Sequence, residues 1–294
     1  MRLENERLAI TVAEPHVFPD TTSRFDHAGF ITSVLLDNKY EFCTSEPTNL
    51  VHPSTGGVGL CNEYLFPEAC DEVPAGSKFP KFGIGLFTKP DDDPFCFFRK
   101  YETDFFPVSW KQVDKGTLIF KTEPVMCNGY AVSQEKTLRI IQNRLMMTTC
   151  LKNEGEKPLV MKEFCHNFMT IERKPLGPSY TIEMPALLDR GSEKVVGTVC
   201  GNGHGYTFSD YNPRAALVNV APEEICDVSV FEWTLGNKES KAYVKAEVNF
   251  KPEGIDIWSI DHIISVETFY PITIAPGETT EWVRQWTYCN IDMD

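Results

Sequence analysis

The chain has 294 residues, of which 42% are hydrophobic and 24% charged, and its formal net charge is −14. That composition excludes wholesale disorder, and the length suits one large core or two ordinary domains. So acidic a surface argues against duplex nucleic acid and against anionic membrane, since both need a basic patch, and leaves a small neutral ligand such as a sugar open.

In chain order, "HPSTGGVGLCNEY" (52–64) reads as a long Gly-rich loop. No strand–loop–helix unit surrounds it, so it is a poor phosphate cradle. "KPDDDP" (89–94) is a turn-rich loop rather than a domain boundary, and "GTLIFKTEPV" (116–125) reads as a strand. "EKTLRIIQNRLMMTTCLKNEG" (135–155) could pass for a helix, but its threonines favour two antiparallel strands. "SYTIEMP" (179–185) is strand-like, and "APEEIC" (221–226) is a short helical window with proline near its start. "YVKAEVNF" (243–250) alternates, with Val244, Ala246, Val248 and Phe250 on one face, the mark of a half-buried strand. No long amphipathic helix, linker or internal repeat stands out, and glycines and prolines are scattered. The pattern predicts an all-β protein, a large antiparallel β-sandwich in a single domain.

The ten cysteines form no CxxC pair. Cys43, Cys96, Cys150, Cys165, Cys200 and Cys289 lie in apolar or strand-like runs, which predicts buried free thiols rather than disulfides. No signal core opens the chain and no apolar run reaches transmembrane length, so a soluble, cytoplasmic protein is expected.

There is no HExxH, zinc-spaced Cys/His cluster, GxSxG or P-loop. Carboxylates, histidines, arginines and tryptophans remain, a set that suits sugar chemistry. Trp110, Trp258, Trp282 and Trp286 offer rings that can stack on a pyranose. His166, in "FCHNF", reads equally as a satisfied interior residue or as half of an acid–base pair. Glu267, in the apolar run "IISVETFYPITIAPGE", is costly to bury unless partnered.

Three segments in order carry a family resemblance. "RFDHAGFITSVLLDNKYEF" (24–42) resembles the opening hairpin of the galactose mutarotase-like family, the aldose 1-epimerases and their relatives. "CLKNEGEKPLVMKEFCHNFMTI" (150–171) resembles the region leading to that family's catalytic histidine, and "SVETFYPITIAPGETTEWVRQWTY" (265–288) resembles its closing segment with the catalytic glutamate. The resemblance implies one supersandwich domain over 1–294, a free sugar as ligand and no cofactor or metal. It places the catalytic acid at His166 and the base at Glu267. The family's earlier histidine has no match in "FGIGLFTKPDDDPFCFFRKYE" (82–102); Lys81, Arg99 and Lys100 are the cations nearby in sequence. Asn62 and Glu63 stand where an Asn–Arg pair is typical.

The implied reaction interconverts the α and β anomers of a reducing sugar. A base takes the C1 hydroxyl proton, an acid protonates ring oxygen O5, the ring opens, C1 rotates and the steps reverse. A carboxylate with a reference pKa of about 4.3 and an imidazole of about 6.5 suit those roles near neutral pH. Glu163 is a carboxylate that would favour the imidazolium if it faces His166. His204, on a glycine-flanked loop, and His262, five residues before Glu267, are secondary candidates, and Arg99 and Arg144 are candidate donors to sugar hydroxyls. Asp26 and His27 are expected to be structural. If the pair is catalytic, His166 and Glu267 are expected to flank one pocket about a pyranose apart. The alternatives are a non-catalytic carbohydrate-binding protein on the same fold, or another sugar-active enzyme such as a lyase or isomerase.

Overall fold

The computed structural model describes residues 1–17, 24–47, 55–186, 199–201, 204–211 and 214–291. Two large antiparallel sheets face each other. The first has seven strands, in the order Arg2–Glu4, Leu8–Val12, Ile31–Leu36, Gly59–Leu65, Leu159–Phe168 and Tyr270–Ile274, with Tyr40–Glu41 paired to Ile31–Leu36. The second has ten and runs from Val199–Gly201 through Phe231–Asn237, Ala242–Val248, Thr279–Asn290, Arg144–Asn153 and Val132–Ile141 to Val108–Asp114. Smaller three-stranded sheets are formed by Ala216–Val220, Ile255–Ile260 and Ile263–Thr268, and by Lys78–Lys81, Gly85–Thr88 and Glu102–Phe105. The only helices among the described residues are Glu68–Asp71 and a 3₁₀ turn at Pro222–Glu224, and none is long and apolar enough to cross a membrane.

The sandwich follows from alternation. Ala242–Val248 buries Ala242, Val244, Ala246 and Val248 and leaves the residues between them half-exposed. The segment that could pass for a helix is the hairpin Val132–Ile141/Arg144–Asn153, turned at Gln142 with φ 53°. Leu60, Ile31 and Cys165 of the first sheet pack in one core with Leu118, Leu138, Met147, Val244 and Trp286 of the second. At about 25 cal/mol per Å² of apolar surface, burial of this core is the main stabilising term.

The Gly-rich stretch departs from expectation. Gly59–Leu65 is a central strand, not a loop. Six of its seven residues are buried, so period two has nothing to mark it. Gly59 sits at φ +57°, and a Cβ there would lie 2.2 Å from the Ile31 carbonyl oxygen, so only glycine fits.

The core also carries a polar seam. Lys136 Nζ, fully buried, donates to Asp26 Oδ2 at 2.6 Å and to Asn62 Oδ1 at 2.9 Å. Asn62 Nδ2 donates to Glu163 Oε1, whose other oxygen takes Arg284 Nη2 at 2.7 Å. Arg284 Nη1 donates to Thr268 Oγ1 at 2.6 Å. Charges out of water persist only when partnered in this way.

The nine cysteines whose side chains are described are free thiols, and Cys43, Cys61, Cys70, Cys165 and Cys289 are buried; the side chain of Cys200 lies outside those described. Burial pushes the Cys165 thiol up to about 12. Cys96 and Cys150 differ from expectation: Cys96 is exposed, on the loop after the Asp91–Asp93 run, and Cys150 is half-buried.

Candidate active site

The strand Leu159–Phe168 serves two faces. Glu163 and Asn167 turn inward, Glu163 to Arg284 and Asn167 Oδ1 to Trp286 Nε1 at 3.0 Å. Phe164, His166 and Phe168 therefore turn to the opposite face of the first sheet. Glu163, considered as a partner for His166, is on the wrong side. Its place is taken by Glu63 on the neighbouring strand, which bonds His166 Nε2 through Oε2 at 3.1 Å.

Glu267 reaches the ring from the other direction. The end of the His166 strand is stitched to Ile263–Thr268 by reciprocal backbone bonds between Met169 and Ile264, both 2.9 Å. Asn167 N–H donates to Ser265 Oγ at 2.9 Å, and Ser265 Oγ donates to Glu267 Oε1 at 2.8 Å. The same Oε1 lies 2.7 Å from His166 Nδ1. His166 is thus held between two carboxylates, and Phe168 stacks on it at 5.3 Å between centroids.

Two cations complete the cluster. Arg24 Nε donates to Glu63 Oε2 at 2.8 Å, and its Nη2 lies 3.1 Å from His166 Nε2. The Arg24 guanidinium packs between the rings of Phe25 and Phe97, at 5.2 and 4.2 Å. Lys81 Nζ donates to the Tyr64 carbonyl at 2.7 Å and lies 3.4 Å from Glu63 Oε1.

Burial alone would raise Glu63, but Arg24, Lys81 and His166 outweigh it and hold the carboxyl well below the usual range. Burial, helped by Arg24, lowers Lys81 despite Glu63. For His166 burial is again the largest influence and acts downward, as does Arg24, yet the combined pull of Glu267 and Glu63 leaves it raised. A raised folded pKa means that the imidazolium's contribution to stability is complete below the unfolded value of about 6.5 and is lost as pH rises through the folded value. In an NMR titration, the His166 ring is expected to hold its proton above pH ~6.5, and Glu267→Gln to lower its midpoint. A ring titrating at or below the unfolded value in the wild type would contradict this.

No family model matches the chain, and no curated protein matches it. Solved structures do. An Escherichia coli protein provisionally assigned as an aldose 1-epimerase is similar over 99% of this chain and 98% of its own, with TM-score 0.61 and 13% identity. A galactose mutarotase-like protein from Lactobacillus casei is similar over 98% and 99%, with TM-score 0.58 and 14% identity. A Synechocystis protein is similar over 99% and 95%, with TM-score 0.60 and 13% identity. The chain has the fold of the galactose mutarotase-like proteins.

On this mutarotase-like fold, His166, Glu267, Glu63 and Lys81 come together. Trp258 borders them, its ring edge-on to Phe168 at 5.9 Å. His262 stands beyond Phe168: its Nε2 lies 3.2 Å from Thr44 Oγ1, its Nδ1 2.8 Å from Asp261 Oδ2, and the Thr44 N–H donates to the Phe168 carbonyl at 3.0 Å. Asn62 belongs to the interior seam instead. Arg99 is tied to Asp91 and Asp93 on its own loop, at 2.6 and 3.4 Å. That loop reaches the cluster through Phe97 on Arg24 and through Phe95, 5.1 Å from Lys81 Nζ. Arg144 is exposed at the start of its strand in the second sheet, opposite Thr287. His204 is also at the second sheet, 3.1 Å from the Ala186 carbonyl, beside an open cavity of about 720 Å³. Of the other tryptophans, Trp282 and Trp286 fill the core and Trp110 stands exposed on an edge strand.

Arg24 escaped sequence reasoning, since it sits outside any periodic strand. Among the described residues no group of three or more His, Cys, Asp or Glu is arranged to hold a metal ion.

Proposed function

We propose that the chain, acting as one domain, is a mutarotase of a free reducing sugar, with Glu267 as base and the His166 imidazolium as acid. The observation that carries the reading is the bonded pair itself: Glu267 Oε1 is fixed by His166 Nδ1 at 2.7 Å and by Ser265, while Oε2 has no described partner. Oε2 takes the C1 hydroxyl proton, and the imidazolium protonates O5 as the C1–O5 bond breaks. The open-chain aldehyde turns about C1–C2 and closes by the reverse transfers, leaving both groups as they began.

The pair is in direct contact at 2.7 Å rather than flanking one pocket about a pyranose apart, so that expectation is not met. The contact is still compatible with a reaction in which O1 and O5, both bonded to C1, are served together. A second reading, non-catalytic sugar binding, is favoured by one observation: both ring nitrogens of His166 face carboxylates, so its protons are already engaged. Freshly dissolved pure anomers of D-galactose and D-glucose, followed by polarimetry with and without protein, separate the two. Acceleration over the spontaneous rate supports the mutarotase. Saturable binding without acceleration favours the binding protein, and neither result would end both readings.

A further inference from the structure

A histidine pair lies outside the candidate site. His16 Nδ1 and His27 Nδ1 are 3.0 Å apart, with His27 buried and His16 half-buried. Both rings rest on Phe105, their centroids 4.8 and 5.3 Å from its own. Three pieces of chain meet there. His16 follows the strand Leu8–Val12, His27 precedes Ile31–Leu36, and Phe105 ends the small sheet that carries Lys81. His27 N–H donates to the Gly83 carbonyl at 2.9 Å, which ties the second piece to the third. The first piece is tied to the second by Ala13 N–H, which donates to the Phe30 carbonyl at 2.8 Å. Past Ala13, the His16 ring carries the segment to Phe105 and to the Phe106 backbone. His16 has φ 63°, uncommon for a residue with a side chain, so its backbone keeps that shape only while its contacts hold it.

Two ring nitrogens at that distance can share one hydrogen. While both rings are neutral, one donates and the other accepts. When both are charged, each nitrogen carries a hydrogen and the contact turns repulsive. Asp26 is the carboxylate beside His27, and it is already engaged by Lys136, Gln134 and the Ala28 N–H. On the small sheet, Lys81 is turned to Glu63 and the Tyr64 carbonyl, and Asp104 to Lys78. Burial and then the neighbouring His16 lower His27 to about 4, against the pull of Asp26. Burial also lowers His16, against the pull of the Phe106 backbone. Because both folded values are lowered, the neutral pair's contribution is complete above the unfolded value of about 6.5 and is lost as pH falls through the folded values. We propose that His16 and His27 form an acid-operated clasp: the neutral pair pins the segment 13–17 to the small sheet, and protonation of both rings releases it. The clasp is independent of the mutarotase reading.

The test is deuterium uptake by the full chain at the amides of residues 13–17, from pH ~7.5 to pH ~4, corrected for the intrinsic pH dependence of exchange. Uptake in the wild type is expected to rise by about tenfold or more as the pH falls, while the core strand Ala242–Val248 stays protected. His16→Gln, uncharged at every pH, is expected to abolish that rise. In the same variant the His27 ring, followed by NMR, is expected to titrate higher, since the like charge beside it has gone. A wild-type uptake that does not respond to pH overturns the clasp. So does a rise that survives unchanged in His16→Gln. A rise that arrives only together with exposure of Ala242–Val248 is global unfolding and overturns it as well.

Discussion

Glu267→Gln is expected to lower kcat for anomer exchange by about a hundredfold or more, with little change in sugar affinity. The amide keeps the shape and can still accept from Ser265, but it cannot take the C1 hydroxyl proton. His166→Asn is expected to cost a similar factor, since it removes the acid and unpins Glu267 Oε1. His166 lies on the first sheet and Glu267 on the small sheet beside it, both buried, so the melting temperature is expected to change little for Glu267→Gln and to fall modestly for His166→Asn, which removes the imidazolium between Glu63 and Glu267. Rate and melting temperature must be read on the same samples. Wild-type turnover in either variant ends the assignment of that residue. Loss of rate together with a collapse in stability would instead mark the pair as structural.

The largest effect on stability is expected in the polar seam between the two large sheets. Lys136→Met leaves Asp26 buried with only the Ala28 N–H and Gln134 Nε2 as partners. Removing one member of a buried pair typically costs about 3–5 kcal/mol, because the charge left behind has neither partner nor water. Urea denaturation should show that loss as a lower midpoint with an unchanged slope. Adding Asp26→Asn should recover part of it, since the stranded charge is then gone. A loss under about 1 kcal/mol would mean that Asp26 does not depend on Lys136 for its compensation.

Much of this arrangement was legible in the residues. Period two in 243–250 and the threonines of 135–155 led to the right strands because those strands have one dry face and one wetter one. That His166 and Glu267 would meet followed from the family resemblance, since each alone, a titratable group in an apolar run, read equally as structural. Their environment was not legible. Gly59–Leu65, which brings Glu63 to His166, is buried on both faces and so shows no alternation. The side taken by Glu163 hung on strand register, which one residue reverses. Arg99 and Arg144 carry the right chemistry, but a long side chain does not announce its partner. Arg99 found its aspartates a few residues away, and Arg144 fell on the far sheet.

The double duty of Leu159–Phe168 has a consequence for how this chain can vary. Consecutive residues serve opposite masters: Glu163, Cys165 and Asn167 belong to the interior, Phe164, His166 and Phe168 to the outward face. Inserting or deleting one residue there would send the imidazole into the seam and carry an interior group to the outward face, damaging both together. Length changes in this strand are therefore closed to gradual drift, whereas point substitutions can alter one face and spare the other. The outward face can be altered one alternate position at a time while the interior stays intact.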